Sequence, residues 1–157
     1  MRIGLGADAH RLVEGVPLVL GGVEVESQRG LAGHSDGDVV AHALIDALLG
    51  AAGIGDIGSL FPSESDEWEG ASSLDLLARA YAQVRDAGWE LENADCVLVG
   101  EEPRIAPLRG AMQARLAETL GVEPGSVTVR ATTTDGLGFT GRGEGLAALA
   151  VALLRPA

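Results

Sequence analysis

The stretch DVVAHALIDALLGAAG, residues 38–53, reads as a helix with both ends marked. Asp36 or Asp38 supplies the N-cap acceptor, Leu44, Leu48 and Leu49 form an apolar stripe, and Gly53 offers a left-handed stop. On the N-terminal side lie short β-type runs. Residues 2–8 alternate as a strand does, and residues 16–25, broken by Gly21-Gly22, read as a hairpin. A Gly-punctuated loop over residues 30–37 leads into the helix. On the C-terminal side, residues 54–70 read as loop, and residues 73–87 as a second helix with a serine cap and Gly88 as its stop. Residues 94–99 read as a buried strand, 105–120 as a third helix ending at Gly121, and 127–131 as a strand. Residues 132–143 form a polar, Gly-rich loop. Residues 146–154 fit a helix by their alanine content and a short buried strand by their length. No repeat or linker interrupts the order, which predicts one α/β-layered domain over residues 1–157.

Composition narrows the function. Apolar residues make up 46% and aromatics only 3%, so the core is built from Ala, Leu, Val and Ile. So lean a core in a chain of 157 residues favours burial against partner subunits. The net charge of -12, with no cluster of Lys or Arg, argues against a nucleic-acid binder. An anionic ligand would need local positive charge from metal ions, an arginine or two, and backbone N–H groups. Cys96 is the lone cysteine, so no intramolecular disulfide forms, and it sits in an apolar run as a small hydrophobe does. The N-terminus lacks the pattern of a signal peptide, and no apolar run reaches the roughly 18 residues of a membrane span. The expectation is a cytoplasmic protein with no membrane partner.

Three constellations carry chemistry. Asp8 and His10 stand two apart on a strand and so share a face, while His42 lies on the central helix. One carboxylate and two imidazoles make an open zinc set, although a D-x-H pair also fits a turn-capping histidine. Next comes His34-Ser35-Asp36-Gly37-Asp38. Asp38, His42 and Asp46 recur every four residues on one helix face, so Asp38 or Asp46 is a candidate to orient the His42 imidazole. His34, in the loop, can reach a phosphoryl group. The third is TTTDGLGFTGRGEG, residues 132–145. Its threonines donate to phosphate oxygens, Asp135 suits Mg²⁺ or Mn²⁺, Arg142 suits a bidentate phosphate grip, and its glycines admit close backbone approach. It lacks the G-K-[ST] of a Walker A loop.

Taken together, and in this order, these motifs resemble the cyclodiphosphate synthase family of the non-mevalonate isoprenoid pathway. The likeness runs from Met1-Arg2-Ile3-Gly4 to the C-terminus. It takes in the D-x-H pair, residues 34–38, the run from His42 to Gly50, Gly55-Asp56-Ile57-Gly58, Leu60-Phe61-Pro62 and residues 131–145.

The resemblance implies α+β subunits with a mixed sheet covered by helices, assembled as a homotrimer whose sheets face the threefold axis. Its substrate would be 4-diphosphocytidyl-2-C-methyl-D-erythritol 2-phosphate, whose 2-phosphate attacks the β-phosphorus and expels CMP. Asp8, His10 and His42 would hold Zn²⁺, Asp135 would hold Mg²⁺ or Mn²⁺ at the diphosphate, and His34 and Thr133 would steady the transition state. Substrate contacts would come from Asp8, His10, His34 and Ser35, and on the sugar side from Asp56, Ile57, Gly58, Phe61, Pro62 and Ser63. The cytidine pocket would be Gly100, Glu101, Glu102, Pro103, Arg104, Ile105 and Ala106 with Ala131, Thr132 and Thr133. Thr134 and Asp135 continue this wall, and Phe139 and Arg142 complete the rim. Each active site would lie between two subunits. Four positions depart from the family's common pattern: Ser63 for Asp, Arg104 for Lys, Asp135 for Glu, and Ala7 for a bulky aromatic. A metal-dependent phosphodiesterase or nucleotide hydrolase would use the same metals with water as nucleophile. A metal- and nucleotide-binding scaffold would have no need of all these ligands.

Overall fold

A computed structural model describes residues 1–157. Five strands form a mixed sheet in the order β4-β1-β7-β5-β6. They are β1 (Arg2–Glu14), β4 (Arg29–Leu31), β5 (Trp89–Val99), β6 (Val127–Thr132) and β7 (Gly145–Pro156). All neighbours are antiparallel except β5 and β6, which run parallel and are joined through helix α4 (Arg109–Leu120). A separate hairpin pairs β2 (Leu18–Leu20) with β3 (Val23–Val25) across Gly21-Gly22, as the glycine pair foretold. Helix α1 (Val39–Ala52) lies on the sheet, and α3 (Ser73–Asp86) packs against it. Two short helices, α2 (Ile57–Leu60) and α5 (Gly138–Gly141), complete the α+β fold.

Helix α1 is capped as its sequence indicates. The Asp38 side chain accepts from Ala41 N–H, and Gly53 closes the helix at φ 72°. Almost every α1 residue is buried, because the helix is enclosed between sheet and α3 and belongs to one cluster of 37 core residues. Its approach to β1 is set by glycines. Gly4 and Gly6 face the helix, where a Cβ on Gly6 would collide with the Ala43 carbonyl and one on Gly4 with that of Ala47. Two strand residues advance about 6.7 Å and four helical residues about 6 Å, so the Gly4/Gly6 pair meets the Ala47/Ala43 pair in step. The next two residues on that face of β1 are Asp8 and His10. The same stepping delivers them to the first turns of α1, where His42 stands.

Several boundaries differ from the sequence reading. β1 continues to Glu14, so Asp8 and His10 lie within the strand, opposite Ala148 and Leu146 of β7. Residues 146–154 belong to a strand, with Leu146, Ala148, Ala150, Ala152 and Leu154 buried toward α1 and alternate residues turned outward. Gly30 and Leu31, expected in a loop, join Arg29 in a strand paired with β1. The expected loops at 54–70 and 132–143 contain α2 and α5, and the third helix begins as a 3-10 turn, Ala106–Leu108. The serine cap of α3 is absent. Ser72 makes no side-chain cap bond, and the Ser73 N–H is instead satisfied by the Asp36 carboxylate at 3.0 Å. Outward from the sheet, Ile3 and Leu5 remain 72% and 69% exposed, beside exposed Leu149 and Val151.

Candidate active site

Asp8, His10 and His42 converge. Asp8 Oδ2 lies 2.8 Å from His10 Nε2 and 3.0 Å from His42 Nδ1, and the two nitrogens are 3.2 Å apart. Ligands on a tetrahedral ion with bonds of about 2.0–2.1 Å stand about 3.3 Å from one another. The three donors therefore already occupy nearly the triangle that such an ion requires, and their N₂O composition suits zinc. His42 is buried, while Asp8 and His10 are partly open to the cleft, so one face of the triangle is accessible.

Hydrogen bonds join the three groups. Burial alone pushes the Asp8 carboxyl up, but hydrogen bonds and charges of His10 and His42 outweigh it and bring it to about 2. His10 is raised, chiefly by its hydrogen bond to Asp8, with burial opposing.

Neither Asp38 nor Asp46 orients His42, contrary to the helix-face reading. The Asp38 carboxylate turns back to accept from Gly21 N–H (2.9 Å), Gly22 N–H (2.7 Å) and Ala41 N–H (3.1 Å), tying the β2–β3 hairpin to the helix start. Asp46 accepts from Ile57 N–H at 2.7 Å, and burial raises its carboxyl. It thereby fastens the N-terminus of α2 to α1. Nε2 of His42 instead meets Ser73 Oγ at 2.8 Å and Ser35 Oγ at 3.0 Å.

The triangle opens into a cleft of about 350 Å³. Asp8, His10, His34, Ser35 and His42 form its polar wall, and Ile57, Phe61, Trp68 and Leu76 its apolar wall. Gly58, Ser63 and Glu64 stand at the rim. Phe61 and Trp68 stack edge to face at 5.0 Å, and the Arg79 guanidinium lies over Trp68. His34 Nε2 is 2.9 Å from the Ser65 carbonyl, which it can meet as donor, joining the two sides of the cleft. Glu64, Trp68, Leu76 and Ser73 were not singled out from the sequence. A tryptophan inside an acidic loop was the one available signal; Leu76 has the pattern of an ordinary core residue.

Asp56 lies outside this cleft, capping α2 through Ser59 N–H, and Pro62 is also absent from its lining. The remaining candidates form a second group. Val99 of β5 pairs with Thr132 of β6, and Gly100 N–H donates to the Thr132 carbonyl, so residues 100–106 and 131–135 gather at one sheet end. Glu101 accepts from Gly136 N–H at 3.2 Å. Arg104, Ala131, Thr132, Thr133, Asp135 and Phe139 are exposed, whereas Ile105 is buried in the core. Asp135 adopts φ 53° and accepts from the Thr133 hydroxyl. Arg142 pairs with Glu144 at 2.7 Å. Asp8, Ala148, Leu98 and Ala131 stand in one row across β1, β7, β5 and β6. Three strand spacings, about 14 Å, separate the backbones of the metal triangle and the second group.

Fold and site define an α+β protein able to hold a metal ion at the mouth of a cleft. Residues 1–155 match the YgbB family, and the chain belongs to that family. It is 56% identical over 154 residues to the 2-C-methyl-D-erythritol 2,4-cyclodiphosphate synthase of Symbiobacterium thermophilum, covering 98% of each chain. A solved structure of 2C-methyl-D-erythritol-2,4-cyclodiphosphate synthase in a CDP-bound form is 40% identical with TM-score 0.89, covering 98% of this chain and 100% of that one. The bifunctional IspDF from Campylobacter jejuni matches at 44% identity and TM-score 0.96, over 99% of this chain and 42% of that one.

Proposed function

We propose that this chain is a 2-C-methyl-D-erythritol 2,4-cyclodiphosphate synthase of isoprenoid precursor biosynthesis. It converts 4-diphosphocytidyl-2-C-methyl-D-erythritol 2-phosphate to the cyclic diphosphate and CMP, with residues 1–157 acting as one synthase domain. The observation that carries this reading is the Asp8–His10–His42 triangle, open to a cleft, in a chain alike over nearly its whole length to proteins of that name.

The chemistry asks for alignment and neutralisation, since a phosphate must attack a phosphate. Zn²⁺ on Asp8, His10 and His42, and Mg²⁺ or Mn²⁺ on Asp135, would supply the positive charge on the phosphate oxygens. His34 and Thr133 donate to those oxygens. Ile57, Phe61 and Leu76 give the methylated sugar an apolar wall, Ser63 meets a hydroxyl from the cleft rim, and Asp56, outside the cleft, would reach another from the start of α2. Residues 100–106 with Ala131, Thr132 and Thr133 read the cytosine through fixed backbone groups, and Thr134, Phe139 and Arg142 complete the rim. No strong general base is required, because the attacking phosphate is already ionised.

The active form in this proposal is a homotrimer, with sheets turned to the threefold axis and each site shared by two subunits. Exposed Ile3, Leu5, Leu149 and Val151 on the outer sheet face support burial there, and the separation of the two residue groups in one chain supports a shared site. A cytoplasmic location accords with the single, buried Cys96.

The test is product analysis with the cytidyl substrate. The cyclic diphosphate and CMP are expected in equal amounts, with formation abolished by chelator. An open-chain phosphate product would instead identify a hydrolase that uses water as nucleophile.

A further inference from the structure

The outer nitrogen of His42 does not face solvent. It faces Ser73, which is completely buried at the first turn of α3. Ser73 Oγ in turn bonds Asp36 Oδ1, so imidazole, hydroxyl and carboxylate form a continuous chain. We propose that Ser73 and Asp36 are positioning residues that fix the tautomer of His42 and strengthen it as a metal ligand. The inference rests on the metal reading of Asp8, His10 and His42 and extends it to α3 and the residue 34–38 loop.

The direction of the chain follows from counting hydrogens. To bind an ion beside Asp8 and His10, Nδ1 of His42 must present its lone pair, which leaves the proton on Nε2. Nε2–H donates to Ser73 Oγ at 2.8 Å. Ser73 must then give its own hydrogen onward. Asp36 can only accept: its Oδ2 takes Ser73 N–H at 3.0 Å, and its Oδ1 takes Asp38 N–H at 3.0 Å and the Ser73 hydroxyl. The order His42 to Ser73 to Asp36 is therefore the one that satisfies every atom. A carboxylate at the far end polarises the hydroxyl toward itself, makes Oγ a better acceptor and raises electron density on Nδ1. Ser35 Oγ, 3.0 Å from Nε2 and 3.3 Å from Ser73 Oγ, closes the remaining side. Flipping the imidazole would turn a nitrogen away from Ser73, so the same bonds hold the ring plane as well as the tautomer.

This chain also joins metal affinity to the cleft. Asp36 N–H donates to the Ala71 carbonyl, at the end of the segment that carries Ser63, Glu64 and Trp68. Asp36 thus contacts three elements at once: the start of α1, the start of α3 and the cleft-lining segment.

The experiment measures Zn²⁺ affinity of the full chain by chelator competition, with the fold of each metal-free variant checked by thermal unfolding. Ser73→Ala and Asp36→Asn are each expected to weaken Zn²⁺ binding 10- to 100-fold. Asp36→Asn preserves shape and most of the hydrogen bonds, and so reports even where Ser73→Ala folds poorly. The double variant is expected to be no weaker than the weaker-binding single variant, because cutting one chain twice adds nothing. Losses that multiply would mean two unconnected structural effects and would overturn the relay, as would unchanged affinity in Asp36→Asn. Failure of the underlying metal reading looks different: wild type and His42→Ala would bind Zn²⁺ alike.

Discussion

Asp8 and His10 stabilise the metal-free chain by sharing a proton, and a metal ion needs both without it. The two states therefore respond oppositely to pH. Asp8 is held at about 2 against its ordinary 3.8, so its contribution is complete above about pH 4 and lost as pH falls toward 2. His10 is raised above its ordinary 6.5, so its contribution is complete below that value and lost as pH rises through the raised one. As pH rises from about 6.5 through the raised His10 value, the chelator-stripped chain should thus fall in Tm, and the gain in Tm on adding Zn²⁺ should grow as His10 deprotonates. Thermal unfolding across that range, with and without Zn²⁺, checks both trends. His10→Asn should flatten the stripped slope, and a stripped chain that gains stability over the range would contradict the proton-sharing account. At this scale the D-x-H pair was legible because strand periodicity alone puts both side chains on one face. The partners of His42 were not. Helical spacing correctly placed Asp38 and Asp46 in line with it, yet each carboxylate found backbone N–H donors nearer to hand. Ser73 carried no signal of its own, and only the fold brings the N-terminus of α3 against His42.

Among the elements, the pairing of β1 with α1 decides whether the triangle exists, and two glycines decide that pairing. Gly6→Ala would drive a methyl into the Ala43 carbonyl, backbone that cannot yield without parting helix from sheet. A loss of about 3 kcal/mol or more is expected from denaturant unfolding, together with weaker Zn²⁺ binding as His42 retreats from β1. Gly50, on α1 itself, is the contrasting case. A Cβ there meets nothing within 4 Å, so Gly50→Ala should stabilise by roughly 0.5–1 kcal/mol and leave metal binding unchanged. Equal effects of the two substitutions would show that close approach to α1 does not govern Gly6. Helix α1 was readable because its caps and stripe are local. The last strand was not, since LAALAVALL satisfies either helix or strand. Its choice is made by tertiary pairing: β7 lies between β1 and β5 and turns its buried face to α1. Helix α5 escaped notice because glycines at both its ends mask a single turn.

In the whole molecule, the residues proposed to hold zinc and those proposed to hold the nucleotide stand about 14 Å apart along one sheet row, three strand spacings. A substrate bridging two such groups within one subunit would have to lie across the sheet. A neighbouring subunit in a closed ring can instead present its second group at the first group of the next, by a head-to-tail contact repeated until the ring closes. The two arrangements separate cleanly by mixing variants. His42→Ala spoils the metal half and Thr133→Ala the nucleotide half, so each alone is expected to be inactive. The two are dissociated, reassembled together in equal amounts, and assayed beside each variant reassembled alone. With random mixing, roughly a quarter of the interfaces in a ring pair an intact metal half from the Thr133→Ala subunit with an intact nucleotide half from the His42→Ala subunit. Activity should therefore return to about a quarter of the reassembled wild-type value. If both halves belong to one subunit, every site in every mixed ring retains one lesion, and the mixture stays as inactive as its parents. Size and subunit exchange are verified on the same samples by native mass spectrometry, so that mixed trimers without recovered activity would refute the shared site.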